Sequence, residues 1–254
     1  MMYLFLRVFI IVFALTAATY SQIQTDNERL ASTTNNQGVT QYRNGQYEEA
    51  IKLITRAIEL YPADPVFHRN LGCVYRDIHD LPKAEAAFRQ AIALKPDHGV
   101  TYNQLGTVLM EARRYKDALQ SLRTADSLHP NDSRILLNTG NTLLNLKEYK
   151  EAGDILEKAK SLDPSDARIR VSLGYAYAQR RKLDVAIAEV RRATEMDPRN
   201  EEAQFFLGSL FVANGDKDAA IAQQRKINVF NPELATKLYQ AMNRDKLLIV
   251  NPNR

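Results

Sequence analysis

Six of the ten glycines fall at one interval: Gly38, Gly72, Gly106, Gly140, Gly174 and Gly208, each 34 residues from the next. Six prolines keep the same step independently, from Pro62 through Pro96, Pro130, Pro164 and Pro198 to Pro232. So do the alanines Ala50, Ala84, Ala118, Ala152, Ala186 and Ala220. A fourth column reads Ala57, Ala91, Ala125, Ala159 and Ala193, then Ile227. Columns of different residue types do not share one period by chance. A fixed period of this size marks a repeat array, in which each unit buries its apolar face only by stacking on its neighbours. The repeats run 31–64, 65–98, 99–132, 133–166, 167–200 and 201–234.

Each column has a physical reason. Within a repeat, apolar residues recur at helical spacing in two segments, as in Leu71, Tyr75 and Ile78, then Ala84, Ala87, Phe88 and Ala91. A polar turn such as Asn44-Gly45-Gln46 or Asn214-Gly215-Asp216 separates them. Small glycine and alanine side chains let two helix axes approach closely. Proline cannot continue the second helix and stops the repeat. Just after it stand Asp64, Asp132, Asp166 and Asn200, which are good starters for the next helix. Pro82 falls at the beginning of a second helix, where proline is tolerated.

The pattern resembles the tetratricopeptide repeat (TPR) family. Repeat two carries it most fully in Leu71-Gly72, Tyr75, Ala84, Phe88, Ala91 and Pro96, and Leu105-Gly106, Leu173-Gly174 and Leu207-Gly208 continue it. The resemblance spans residues 31–234 and implies an all-α, right-handed α-solenoid of six helix-turn-helix repeats with a C-terminal capping helix. The ends read as caps. Gln37 and Gln41 occupy core columns of repeat one, where no earlier repeat needs covering. Beyond Pro232, Leu234, Leu238, Ala241 and Met242 share one helical face with no second helix after them. Residues 235–254 are therefore expected to form a capping helix and a tail. The tail packs back through Leu247, Leu248, Ile249 and Val250 or stays mobile. In repeat six, Phe205, Phe206 and Val212 make an apolar site that the tail is expected to fill.

Residues 1–18, MMYLFLRVFIIVFALTAA, are a different material, with Arg7 the only charge. A short cationic start, an apolar run from Val8 to Leu15 and then small residues fit a secretory signal peptide. Cleavage fits after Ala18, with Thr16 and Ala18 at the third and first positions before the cut, or near Ser21. An uncleaved membrane anchor, which needs about 20 apolar residues, is the alternative. Both place the repeats outside the cytoplasm: periplasmic, secreted or tethered. Residues 19–30 read as a polar linker. No cysteine follows the apolar run, which disfavours a lipid-anchored lipoprotein.

The resemblance further implies that the first helix of each repeat lines a concave face. One of its columns holds Asn36, Asn70, Gln104, Asn138, Ser172 and Phe206. An amide both donates and accepts, so a spaced row of amides suits the backbone of an extended peptide. This row is similar to the one lining the repeat domain of the O-linked N-acetylglucosamine transferases, although ordinary solvated side chains would look the same. Beside it lie Arg69, Arg76, Asn103, Arg134, Asn141 and Arg168, with Asp77 and Glu111 diluting the charge. A polar, modestly basic face suits a protein or extended peptide carrying acidic groups, since Arg pairs carboxylates bidentately. The tail-gripping set of Lys, Asn and Arg used by some family members is broken by Asn103, Thr107 and Ser172.

Nothing points to catalysis, a metal or a cofactor. None of the histidines, His68, His79, His98 and His129, forms a His-x-x-x-His pair, and Cys73 is the only cysteine, with no assignable base. A net charge of +4 spread along the chain argues against a nucleic-acid partner. A membrane enters only through an uncleaved N-terminal segment. Asn131-Asp132-Ser133 is a glycosylation sequon in an inter-repeat turn. The reading is a non-enzymatic, exported scaffold that binds a peptide or protein segment. The alternative is a bacterial envelope assembly factor similar to a type IV pilus pilotin.

Overall fold

In a computed structural model, residues 2–243 are described, with side chains from Gln22 onward. Thirteen α-helices and no strand are present among them: α1 (Met2–Arg43), α2 (Tyr47–Leu60), α3 (Pro65–Asp77), α4 (Leu81–Leu94), α5 (Gly99–Glu111), α6 (Tyr115–Leu128), α7 (Ser133–Asn145), α8 (Tyr149–Leu162), α9 (Ala167–Gln179), α10 (Leu183–Met196), α11 (Glu201–Ala213), α12 (Lys217–Asn228) and α13 (Pro232–Asn243). From α3 onward the first helices begin 34 residues apart, at Pro65, Gly99, Ser133, Ala167 and Glu201, and the second helices keep the same step.

The helix starts follow from the residues expected there. Asp64, Asp132 and Asp166 accept from the backbone N–H two residues on, at 2.8, 2.9 and 2.9 Å, and Asn200 accepts from that of Ala203 at 2.9 Å. Asp80 and Asp216 cap the second helices α4 and α12 in the same way. Each such cap stabilises its helix by about 1 kcal/mol relative to alanine.

The turn within each repeat carries a signal the sequence conceals. Gly45, His79, Arg113, Lys147, Arg181 and Gly215 all have φ between 58° and 78°, one per repeat and 34 residues apart. The left-handed conformation closes the first helix: Lys147 N–H donates to Leu144 O at 3.0 Å and Glu148 N–H to Leu143 O at 2.9 Å. Glycine adopts this conformation freely, whereas an L side chain there costs roughly 1–2 kcal/mol. The end repeats have glycine at this place and the middle four have His, Arg, Lys and Arg.

The chain divides into two compact units, one up to Ala112 and one from Arg113. In the first, Ala31, Ala50, Ile54, Ala57, Phe67 and Val74 form a core, with Tyr42, Ile51 and Leu71 packed on it. Gly72 faces the buried ring of Phe88, and Gly38 faces Ile54. In the second, Leu136, Leu143, Leu156, Leu173, Val190 and Leu210 belong to one continuous core. Leu156 lies over Gly140 and Val190 over Gly174. The alanine columns are fully buried, from Ala50 to Ala220 and from Ala57 to Ala193. Fully burying each large aliphatic side chain stabilises the fold by about 1.5–3 kcal/mol.

Two expectations need correcting at the ends. Residues 19–30, expected as a linker, are helical and continuous with the first helix of repeat one. The stretch contains no glycine or proline to stop it, and Gln22 bonds Asp26 one turn on at 3.2 Å. The apolar run 1–18 lies outside the residues whose side chains are described. Among the described residues, no helix is long and apolar enough to cross a membrane.

At the other end Pro232 opens α13 instead of closing α12, because proline fits a helix's first position. Ala235 and Leu238 of α13 are buried with Ile227, flanked by Phe205, Val212, Leu234 and Met242. Leu238 covers Gly208. The apolar site of repeat six is thus filled by α13, where the tail was expected. Residues 245–254 themselves lie outside the described residues.

Candidate binding face

The first-helix face is built differently in the two units. In the first unit Asn36 is exposed on α1, while Asn70 on α3 and Gln104 on α5 are half-buried. Asn70 Nδ2 donates to Asn35 Oδ1 at 3.0 Å, and Asn35 is itself only 4% exposed. Asn35 was not expected in the site, since it sits one column over from the amide row. Gln104 Nε2 lies 3.1 Å from Cys73 Sγ, and Gln104 Oε1 is buried without a hydrogen-bond partner among the described residues. Turning the amide over would let the thiol donate to that oxygen, since amide O and N are assigned from their bonding. Burial first, then the neighbouring Asp77 charge, push the Cys73 thiol up against the pull of Arg76 and Arg69. A thiol held protonated is a donor and a poor nucleophile.

Around this amide pair the charges are matched locally. Arg76 donates from Nε and one terminal nitrogen to Asp77 Oδ1 at 3.0 and 2.8 Å, and Tyr42 donates its hydroxyl to Asp77 Oδ2. Burial alone would raise Asp77, but the bonds from Tyr42 and Arg76 outweigh it and hold its carboxyl below the ordinary value. Burial also raises Glu111. Arg69 reaches His98 Nε2 at 3.5 Å, and His98 Nδ1 lies 2.8 Å from Thr101 Oγ1. Asn103 is half-buried on α5.

In the second unit Asn138 and Asn141 are half-buried on α7, where Asn145 and Thr142 bond back to their carbonyls. The amide column then closes, with Ser172 and Phe206 only 1% and 3% exposed. Arg134 and Arg168 do not supply free cations to the face. Each turns back onto the carboxylate that caps its own helix, Arg134 on Asp132 and Arg168 on Asp166, with closest contacts of 2.8 and 2.6 Å. An aspartate at the cap lies within reach of an arginine two residues later, so these pairs are local. Arg76 is likewise paired, with Asp77 at 2.8 Å.

A second polar cluster was missed because its members come from three helices. Glu189 of α10 receives Lys160 of α8 and Arg170 of α9, both at 2.8 Å, while Tyr177 donates to Glu157 at 2.7 Å. Burial, followed by Glu157, pushes Tyr177 up to about 12. These groups bind α8, α9 and α10 together. No group of three or more His, Cys, Asp or Glu side chains able to hold a metal occurs among the described residues.

Paired helices in a 34-residue register, small residues at the contacts and a closing helix define a tetratricopeptide-repeat α-solenoid, an architecture whose stacked faces serve as extended binding surfaces. A family profile described as the C-terminal domain of cilia and flagella-associated protein 70 matches residues 37–207, and the chain belongs to that family. Among solved structures it is similar to Pseudomonas aeruginosa pilF, with 22% identity and a TM-score of 0.73 over 85% of this chain and 99% of that one. PilW, described as a widely conserved type IV pilus biogenesis factor, matches at 19% identity with a TM-score of 0.76, over 82% and 98% of the two chains. YrrB, described as a TPR protein with an unusual peptide-binding site, matches at 23% identity with a TM-score of 0.60, over 74% and 97%. At these identities the likeness is one of fold. No curated protein matches the chain.

Proposed function

We propose that the chain is an exported scaffold that binds a peptide or protein segment on its first-helix face. The observation that carries this reading is the half-buried amides of the first helices, Asn70 and Gln104 in the first unit and Asn138 and Asn141 in the second. An amide both donates and accepts, so such side chains suit the backbone of an extended peptide. The description of YrrB as a peptide binder lends support by fold. With Arg76, Arg134 and Arg168 internally paired, neutral backbone recognition by the amides carries the binding, ahead of charge.

Two double variants test the units separately: Asn70→Ala with Gln104→Ala, and Asn138→Ala with Asn141→Ala. Immobilised full-length chain is used to capture partners from its native source, with helical content checked by circular dichroism. Loss of a mass-spectrometrically identified partner in either variant supports the reading, and full capture by both refutes it. Export is tested by N-terminal sequencing of the mature chain, expected to begin at Thr19 or a few residues later. A second reading, an envelope assembly factor like a pilus pilotin, is favoured by the fold likeness to pilF and PilW. Association with the outer membrane on cell fractionation would support it over the first.

A further inference from the structure

The turns between first and second helices hold a surface separate from the first-helix face. In the second unit three successive turns read Arg113-Arg114, Leu146-Lys147-Glu148 and Arg180-Arg181-Lys182, six cations against one carboxylate. Arg113, Arg114, Lys147, Arg181 and Lys182 are exposed. Arg114 is tied to Asp117 at 2.7 Å, and Arg180 and Lys182 lie over the ring of Tyr177 at 5.9 and 6.0 Å. Arg113, Lys147, Arg181 and Lys182 have no carboxylate partner among the described residues. The opposite, inter-repeat turns instead hold Asp132, Asp163, Asp166 and Asp197, two of which are occupied by Arg134 and Arg168.

What makes the cations informative is their backbone. Arg113, Lys147 and Arg181 sit at φ 58°, 64° and 58°, the conformation that Gly45 and Gly215 adopt at the same place in the end repeats. A cation near a helix C-terminus is favourable to the helix dipole, but that benefit is available anywhere in the last turn. Placing it at the left-handed residue surrenders stability that glycine would retain, and such outliers collect where a side chain is needed for function.

We propose that this edge of the middle repeats docks an extended, acidic segment of a protein partner, with carboxylates spaced to meet successive turns. Helices packed roughly 8–10 Å apart set neighbouring turns on the order of 10 Å from one another. A polyproline II chain, with three residues per turn and about 3.1 Å per residue, brings an acid at every third position to one face and keeps pace with the turns. An anionic lipid surface fits less well, because docking there uses exposed apolar side chains beside the cations. Here Leu146 packs on the core and Tyr177 is engaged with Glu157.

The test uses the full chain and a short labelled peptide with glutamate at every third position, beside the same peptide with glutamine. Arg113→Gly, Lys147→Gly and Arg181→Gly are combined in one variant. Peptide affinity is expected to fall about tenfold or more, while the thermal unfolding midpoint rises by a few degrees. A control variant with Lys158→Gln, Arg199→Gln and Arg225→Gln removes as much charge elsewhere in the unit and is expected to change neither. Equal weakening by both variants would reduce the effect to net charge and overturn the proposal. So would unchanged affinity in the glycine variant, a fall in its midpoint, or capture of phosphatidylserine vesicles in preference to the peptide.

Discussion

Replacing Gly72 by alanine adds one methyl group at the contact between α3 and α4. That carbon would fall 2.9 Å from Phe88 Cε1 and 3.0 Å from both Cδ1 and Cζ. Carbon atoms pack comfortably at about 3.5–4.0 Å, so three ring atoms must move together by more than half an ångström. The ring is fully buried and has no open side to retreat to. Overpacking of this kind costs about 1–3 kcal/mol, against a gain of about 1 kcal/mol from alanine's better helix propensity. The net expectation is a loss on the order of 1 kcal/mol. Gly153 on α8 supplies the opposite case, because its nearest neighbours are the mobile end of Arg180 at 3.3 Å and Ala176 Cβ at 4.0 Å. Gly153→Ala should therefore stabilise by about 0.5–1 kcal/mol. Urea unfolding followed by far-ultraviolet circular dichroism reads both, with the slope checked for constancy so that midpoints can be compared. Shortening the ring in Gly72→Ala/Phe88→Leu should show a favourable coupling, since residues in contact are non-additive. Shifts of the same sign in the two alanine variants would refute the account of the glycine column as close helix contacts.

Cys73 should react with a disulfide reagent several-fold more slowly in the native chain than in urea at pH 8, because burial holds its thiol above the ordinary range; equal rates would contradict its placement. Its folded value is raised, so the stability it contributes is present below the ordinary thiol pKa and is lost as pH rises through the raised one. Asp132 and Asp166 behave oppositely. Hydrogen bonds from Arg134 and Arg168 hold their carboxyls low, so their contribution is present above the ordinary value of 3.8 and is lost as pH falls through the lowered ones. Asp132→Ala should destabilise by about 1 kcal/mol, whereas Asp132→Asn keeps the cap and loses only the acid dependence, as urea titrations at pH 7 and pH 3 would show. Glu189→Ala leaves Arg170, whose side chain is 17% exposed, without its acid, while Lys160 keeps Glu157 at 2.7 Å. A loss of about 2 kcal/mol is expected, reduced from the fully buried case by solvent access. Arg192→Ala, at an exposed pair, should lose under about 0.5 kcal/mol.

The packing columns were legible because each asks for one kind of residue, a small one: a methyl group added at Gly72 or Gly140 would fall under 3.0 Å from Phe88 or Leu156, and Ala84 and Ala152 are fully buried. The caps at Asp64, Asp132, Asp166 and Asn200 were legible for the same reason. The left-handed turn residues were visible only at Gly45 and Gly215. In between, His79, Arg113, Lys147 and Arg181 adopt a conformation that their chemistry does not advertise. Residue spacing defines the face only to the level of columns. Position alone could not show that Arg134 and Arg168 fold back on their own caps, nor that Asn35 joins Asn70 from the neighbouring column. The cluster of Glu157, Lys160, Arg170, Tyr177 and Glu189 needed the packing of three helices, which no local spacing encodes.

A stack of identical plates has no inherent length, since each plate offers its neighbour the same socket. In this chain Leu238 of α13 occupies the socket that Gly208 opens, and Phe205, Val212 and Met242 seal its rim. The last plate is therefore already occupied by the chain itself, and a second copy cannot enter there to prolong the stack. Removing α13 would leave that socket open to water, with Ile227, Phe205 and Val212 stripped of their cover.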